Sequence, residues 1–271
     1  MEKYADYIRQ IEIDALWSGG KHVVWTLDRH VNILSGINGV GKTTILNKVL
    51  RHVSAHDGNV RPALPHGVKV TLAPQGATML RHDIVRSMDN PVLDADTVRL
   101  MDKQIVSALD FRLYQLQRGY LNYQVDIGNR VIAALQRGDT EAARQMSARK
   151  AIFQDMVDRL FSETGKTLHR EANELRFRQG DDVLTPYQLS SGEKQMLVIL
   201  LTTLIEDGKP YVLFMDEPEV SLHIEWQKQL IDLILELNPN VQILLTTHSP
   251  AVIMNGWIDH VTEVSDITVK E

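Results

Sequence analysis

The chain contains no cysteine, which excludes disulfides, thiol nucleophiles and cysteine-ligated zinc and makes a reducing cytoplasm its natural compartment. Long hydrophobic runs are missing too. The most apolar stretch, Met196 to Ile205, falls well short of the roughly 20 residues a membrane helix needs. The opening MEKYADYIRQIEID carries charges throughout and no apolar signal core, so neither a targeting nor an anchoring segment is expected, and no membrane insertion. Internal repeats and low-complexity tracts are absent, and the helical portion is too short for an extended coiled coil. A basic surplus is lacking as well: the formal net charge is -6. That deficit is uneven, because residues 181–271 hold 15 acids against 4 bases while residues 1–180 hold 25 bases against 20 acids. Any contact with nucleic acid is therefore local and confined to the earlier part.

What is present describes an ordinary soluble globular protein. At 271 residues, 44% hydrophobic and 24% charged, the chain can bury a full core as one large α/β domain or two modest ones. The opening third alternates like strands and turns. Ile11 to Ala15, a Ser18-Gly19-Gly20 turn, Val23 to Leu27 and Val31 to Leu34 read as a small β-layer running into a glycine loop. Thr43 to Val53 has helical periodicity, and Val68 to Ala73 is a second candidate core strand. From about Leu80 to Thr164 the pattern becomes long helices, punctuated at Asn90-Pro91, Gly128 and Gly138. Lys166 to Arg178 reads as two short strands followed by a polar Gln179 to Asp182 turn. From Leu189 onward helix and strand alternate, with apolar runs Tyr211 to Met215 and Val241 to Thr246 that suit buried parallel strands.

Three segments carry chemistry. Gly36-Ile-Asn-Gly-Val-Gly41-Lys42-Thr43 satisfies the phosphate-loop pattern G-x-x-x-x-G-K-[ST] between a strand and a helix. Backbone N–H groups of Asn38, Gly39, Val40, Gly41, Lys42, Thr43 and Thr44 would wrap phosphates at a helix N-terminus, with Lys42 on the β- and γ-phosphates and the Thr43 hydroxyl on Mg²⁺. Tyr211-Val-Leu-Phe-Met-Asp216-Glu217-Pro218 is an apolar strand ending in two acids, which Pro218 confines to the strand's end. Asp216 would hold the Mg²⁺ shell and Glu217 would take a proton from an attacking water. Leu189-Ser190-Ser191-Gly192-Glu193-Lys194-Gln195, ahead of an apolar helix, is by itself a good capping sequence.

Placed before the Asp216 strand, this last segment resembles the signature motif of ABC ATPases, LSGGQ in family terms, with Ser191 and Glu193 as departures. The resemblance extends along nearly the whole chain. It implies a P-loop NTPase α/β fold with an N-terminal β-layer, a mostly parallel core sheet and an inserted helical lobe. The expected divisions are residues 1–80, 81–188 and 189–271. The resemblance assigns Ser190, Ser191 and Gly192 to the ATP of a neighbouring copy, hence a homodimer on ATP binding. It identifies His248, after the strand Ile243 to Thr247, with the switch histidine that contacts the γ-phosphate. Glu219-Val-Ser-Leu222-His223 after Glu217-Pro218 is similar to the EPExxLH form of SMC-like DNA-repair and phage-defence ATPases. His223 is there either catalytic or a helix-start residue. By the same resemblance Gln75 is the candidate Q-loop glutamine for Mg²⁺ and water, and Trp17 either stacks on adenine or belongs to the core.

The basic surface between Arg118 and Arg178, 11 bases against 8 acids, is either a solvated face or a nucleic-acid contact. The leading expectation is an ATP-hydrolysing engine in DNA repair or anti-phage defence, driving a separate effector of the nuclease or toxin class. A transporter's soluble subunit and a non-hydrolysing ATP sensor are the alternatives; the EPExxLH form opposes the first and Glu217 the second.

Overall fold

The computed structural model of the chain describes residues 3–17, 20–55, 67–86 and 105–269. An outer antiparallel layer begins with β1 (Tyr7–Ile13) and β2 (His22–Thr26), in which Ile11 stands opposite Trp25. β4 (Val68–Ala73) pairs with the other edge of β1, and β12 (Thr268–Val269) pairs with β2. Alternation sends Ile11 and Ile13 inward, and a register shift between Ile8 and Gln10 brings Ile8 to the buried side as well.

Beneath it lies a five-stranded parallel sheet in the order β11-β3-β10-β9-β5. Its strands are β3 (Val31–Ser35), β5 (His82–Arg86), β9 (Tyr211–Asp216), β10 (Val241–Thr246) and β11 (Val261–Glu263). β9 and β10 are unbroken apolar runs because both faces are covered. Val212, Phe214 and Leu244 face the outer layer, where α1 (Lys42–Ser54) contributes Ile45, Leu46 and Val49. Leu213, Met215, Ile243 and Leu245 face the opposite way, toward a helical core.

That core is built from α2 (Ala108–Gln136), α3 (Thr140–Phe161), α4 (Ser191–Ile205) and α5 (Ile224–Leu237), with the short α6 (Pro250–Ile253) beyond β10. α2 starts at a reciprocal capping box between Ser107 and Asp110. Gly138, at φ 76°, turns the chain into α3, which Asp139 caps. α4 is apolar all round and buried, and it is tied to α2 by Lys194–Asp110 at 2.8 Å.

Four readings change. Val68 to Ala73 is a strand of the outer layer rather than of the core sheet, consistent with the half-buried middle of β4. The core strand in its place is β5, paired with β9 and lying inside the stretch that periodicity assigned to helix. Its sequence HDIVR is polar, in keeping with β5 being a sheet edge with one strand neighbour among the described residues. Gly128 does not punctuate the helices; α2 runs through it at a cost of about 1 kcal/mol relative to alanine. The two short strands expected after Lys166 are three: β6 (Lys166–Leu168), β7 (Phe177–Gln179) and β8 (Asp182–Leu184), the last two joined by a two-residue turn at Gly180 and Asp181. Asn90-Pro91 and the Ser18-Gly19 part of the expected turn lie outside the described residues.

Candidate functional site

The site forms at the carboxyl ends of β3, β9 and β10. Parallel strands held in register end at one level, so Thr246 lies directly beside Asp216. β3 feeds the glycine loop, whose last member, Gly41, sits at φ 109° as the N-cap of α1. A Cβ on Gly41 would lie 2.8 Å from Leu16 Cδ2 and 3.0 Å from Trp17 Cζ2. Only glycine allows both that backbone and that approach.

Lys42 is 5% exposed and curls back over the loop, donating from Nζ to the carbonyl oxygens of Gly36 at 2.9 Å and Ile37 at 3.3 Å. Burial holds its pKa below the ordinary lysine value, while Glu217 and Asp216 pull the other way. An anion in the loop would offer this ammonium a stronger acceptor than two carbonyls do.

The Thr43 hydroxyl donates to Asp216 Oδ1 at 3.0 Å, and the Thr246 hydroxyl donates to the same oxygen at 2.6 Å. The Glu217 N–H bonds back to the Thr246 carbonyl at 3.0 Å. Glu217 itself takes φ 49°, a conformation that non-glycine residues adopt only where surroundings impose it. Its Oε1 lies 3.3 Å from His248 Nε2. Together with Trp17, Asn38, Gly39, Gly41, Lys42, Thr43 and Thr44, Glu217 and His248 line an open cleft of about 570 Å³. Val40 packs behind the loop, its Cγ1 3.0 Å from where a Cβ on Gly36 would stand. Trp17 is 42% exposed and presents its ring to the cleft.

The remaining sequence candidates are not among the residues that line the cleft. Gln75 is exposed in the turn after β4 and does not line the cleft. The reason is topological: the strand beside β9 is β5, which ends at Arg86, whereas β4 pairs with β1. Ser190, Ser191 and Gly192 form the start of α4 and do not line this cleft either. Ser190 caps the helix by accepting from the Glu193 N–H, and Glu193 reciprocates through Oε2 to the Ser190 N–H at 2.8 Å. Burial alone would raise the Glu193 pKa, but bonds from Ser190, Thr164 and Lys166 outweigh it and hold the group below the usual carboxyl value. At Gly192 an added Cβ would stand 2.6 Å from the Ser221 carbonyl oxygen, so the helix start is pressed against the turn that follows Glu217. His223 is the N-cap of α5, its Nδ1 accepting from the Glu225 N–H at 3.4 Å.

Two contributors were not singled out from sequence. Thr246 reads as one more apolar-run residue, and its bond to Asp216 follows only from strand register. Glu219 stands in the EPExxLH segment, but the contacts it makes follow only from the fold.

Among the described residues no cluster of three or more His, Asp or Glu side chains could hold a metal unaided. Thr43 and Asp216 do supply two hard oxygens 3.0 Å apart at the loop. That donor set fits Mg²⁺, which takes one or two protein oxygens and completes its octahedron with phosphate and water.

A phosphate loop after β3, an acid pair at the end of β9 (the next strand but one in the sheet) and a capped helix start on a mostly parallel sheet have the arrangement of a P-loop ATPase fold. A solved structure supports the fold: "Crystal structure of the SmcHead bound to the C-winged helix domain of ScpA" has a TM-score of 0.53 and 17% identity, covering 92% of this chain and 91% of that one. The chain belongs to the family described as "AAA domain, putative AbiEii toxin, Type IV TA system", whose model matches residues 75–255. It is 41% identical over 66 residues to "Phosphate import ATP-binding protein PstB" of Thermococcus kodakarensis, 24% of this chain and 25% of that protein. It is 28% identical over 95 residues to "Retron Vc95 probable ATPase" of Vibrio cholerae serotype O1 biovar El Tor, 31% of this chain and 18% of that protein. The chain thus matches a quarter or less of these relatives' own length. No helix among the described residues is long and apolar enough to cross a membrane.

Proposed function

We propose that the protein binds ATP with Mg²⁺ in the 570 Å³ cleft and hydrolyses it once a second copy brings its own Ser190–Gly192 segment against the bound triphosphate. The observation that carries this reading is the joint placement of Lys42, Thr43, Asp216, Glu217 and His248, with Ser190 to Gly192 outside the same cleft. Lys42 and the loop amides would hold the β- and γ-phosphates, and Trp17 would stack on the base. Thr43 and Asp216 would hold Mg²⁺, which supplies charge neutralisation on the phosphate oxygens when bound. Glu217 would orient the attacking water and accept its proton, a role worth about 10²–10⁴ in rate. His248, against Glu217, would present a donor to the transferred phosphoryl group. The N-terminus of the partner copy's α4 would add positive potential from the other side.

Dimerisation and hydrolysis then form a switch, and we place the output in a separate effector acting in DNA repair or anti-phage defence. The partial similarity to a retron ATPase supports that setting. Phosphate release tests the chemistry. Wild type is expected to turn over ATP, Lys42→Ala to lose nucleotide binding, and Glu217→Gln to bind normally while losing turnover at least about 100-fold. Equal rates in wild type and Glu217→Gln would overturn it.

A further inference from the structure

Glu219 is 6% exposed, an uncommon burial for a glutamate, and the proposed chemistry leaves it without a task. Its Oε1 accepts from the Thr247 hydroxyl at 2.5 Å and from the His248 N–H at 3.1 Å. Its Oε2 is enclosed and has no hydrogen-bond partner among the described residues. Such an arrangement costs stability, so an inert role is a poor account of it. The Thr247 hydroxyl in turn accepts from the Ser249 N–H at 2.9 Å, which orients it toward Glu219. A second tie runs in parallel. Gln227 donates to the carbonyl oxygens of Leu222 at 2.8 Å and Glu219 at 3.3 Å, and its Oε1 accepts from the Ser249 hydroxyl at 2.6 Å. The turn after β9 and the loop after β10 are thereby fastened to each other on both sides of His248.

We infer that Glu219 is a positioning residue for the hydrolytic reaction: its carboxyl group fixes the backbone at His248 so that the imidazole is held against Glu217. His248 is 39% exposed at the side chain, so packing alone does not restrain its ring. The peptide before it is what sets the ring's direction, and Glu219 holds that peptide. Because the inference rests on the proposed ATP hydrolysis, its test has one arm that needs no turnover.

In that arm, amide hydrogen exchange of the segment 247–249 is followed in full-length wild type, Glu219→Ala and Glu219→Gln. Glu219→Ala is expected to speed exchange there by about tenfold while leaving the β3–α1 loop unchanged, and Glu219→Gln, which keeps an acceptor, to exchange as wild type does. Unchanged exchange in Glu219→Ala would overturn the inference even if the protein proved inactive on ATP. The second arm is steady-state phosphate release, with nucleotide affinity measured separately. Glu219→Ala should lower kcat about tenfold with KM for ATP within about twofold, and the same substitution made in His248→Ala should cost nothing further. Losses that add in the double variant, or a loss confined to KM, would show that Glu219 acts on the fold and not through His248. Wild type without turnover would refute the proposed function and leave the exchange measurement to decide the positioning role.

Discussion

Removing the Glu193 carboxylate should loosen the start of α4, and the size of the loss can be worked from its contacts. Glu193 is 2% exposed and accepts from the Ser190 N–H at 2.8 Å, the Thr164 hydroxyl at 2.8 Å and Lys166 Nζ at 3.0 Å. Lys166 is itself only 12% exposed at the side chain, so Glu193→Ala strands an ammonium that water reaches poorly. Breaking one side of a buried pair costs about 3–5 kcal/mol. Losing one arm of a capping box adds on the order of 1 kcal/mol, and the two effects overlap because the one Glu193 carboxylate serves both the cap and the ion pair. We expect a total near 4 kcal/mol, a large share of the roughly 5–15 kcal/mol that separates folded from unfolded chains. Urea denaturation followed by far-UV circular dichroism would measure it, with Lys166→Met/Glu193→Leu as the control that removes both charges together. That double variant should lose much less, because no charge is left stranded.

The same group makes a pH prediction. The Glu193 pKa is lowered on folding, so its contribution is present above the ordinary carboxyl value of about 4.3 and is lost as pH falls through its depressed folded value. The melting-temperature gap between wild type and Glu193→Gln should therefore be constant at neutral pH and close as the solution is acidified below that range. A Glu193→Ala loss under about 1 kcal/mol, or a gap that widens with acid, would refute the reasoning.

Other perturbations test the α4 start and the cleft. Gly192→Ala forces a Cβ to within 2.6 Å of a backbone carbonyl and should cost about 1–3 kcal/mol in thermal unfolding while also weakening association of the two copies. Trp17→Ala should weaken binding of a non-hydrolysable ATP analogue by roughly tenfold in calorimetric titration without changing the melting temperature, since the ring is part-exposed beside the cleft. Thr246→Val keeps the β-branched shape but removes the donor to Asp216, so it should destabilise by about 1–2 kcal/mol and raise the Mg²⁺ concentration needed for half-maximal turnover.

The half of the molecule that carries the candidate site is legible in sequence because its signals are local. A glycine loop before an amphipathic helix, and apolar runs ending in Asp216-Glu217 or Thr246-Thr247-His248, each announce a strand end and the groups it carries. What is illegible depends on partners remote in the chain. β5 is too polar to look like a core strand, and only its neighbour β9 makes it one; β4 looks like a core strand and belongs to the outer layer. Gln75 follows β4, which pairs with β1, and is not among the residues that line the cleft. The bonds of Thr246 and Glu219 span 30 and 28 residues, so neither shows in any window of sequence.

The central claim, that one copy's phosphate loop and another's α4 start close on the same nucleotide, is tested most directly by the mass of Glu217→Gln in multi-angle light scattering with and without Mg²⁺-ATP. The mass is expected to double on nucleotide addition, and that doubling is expected to disappear when Ser190→Arg is added. A mass that stays constant with saturating nucleotide bound, or doubling that survives Ser190→Arg, would contradict it.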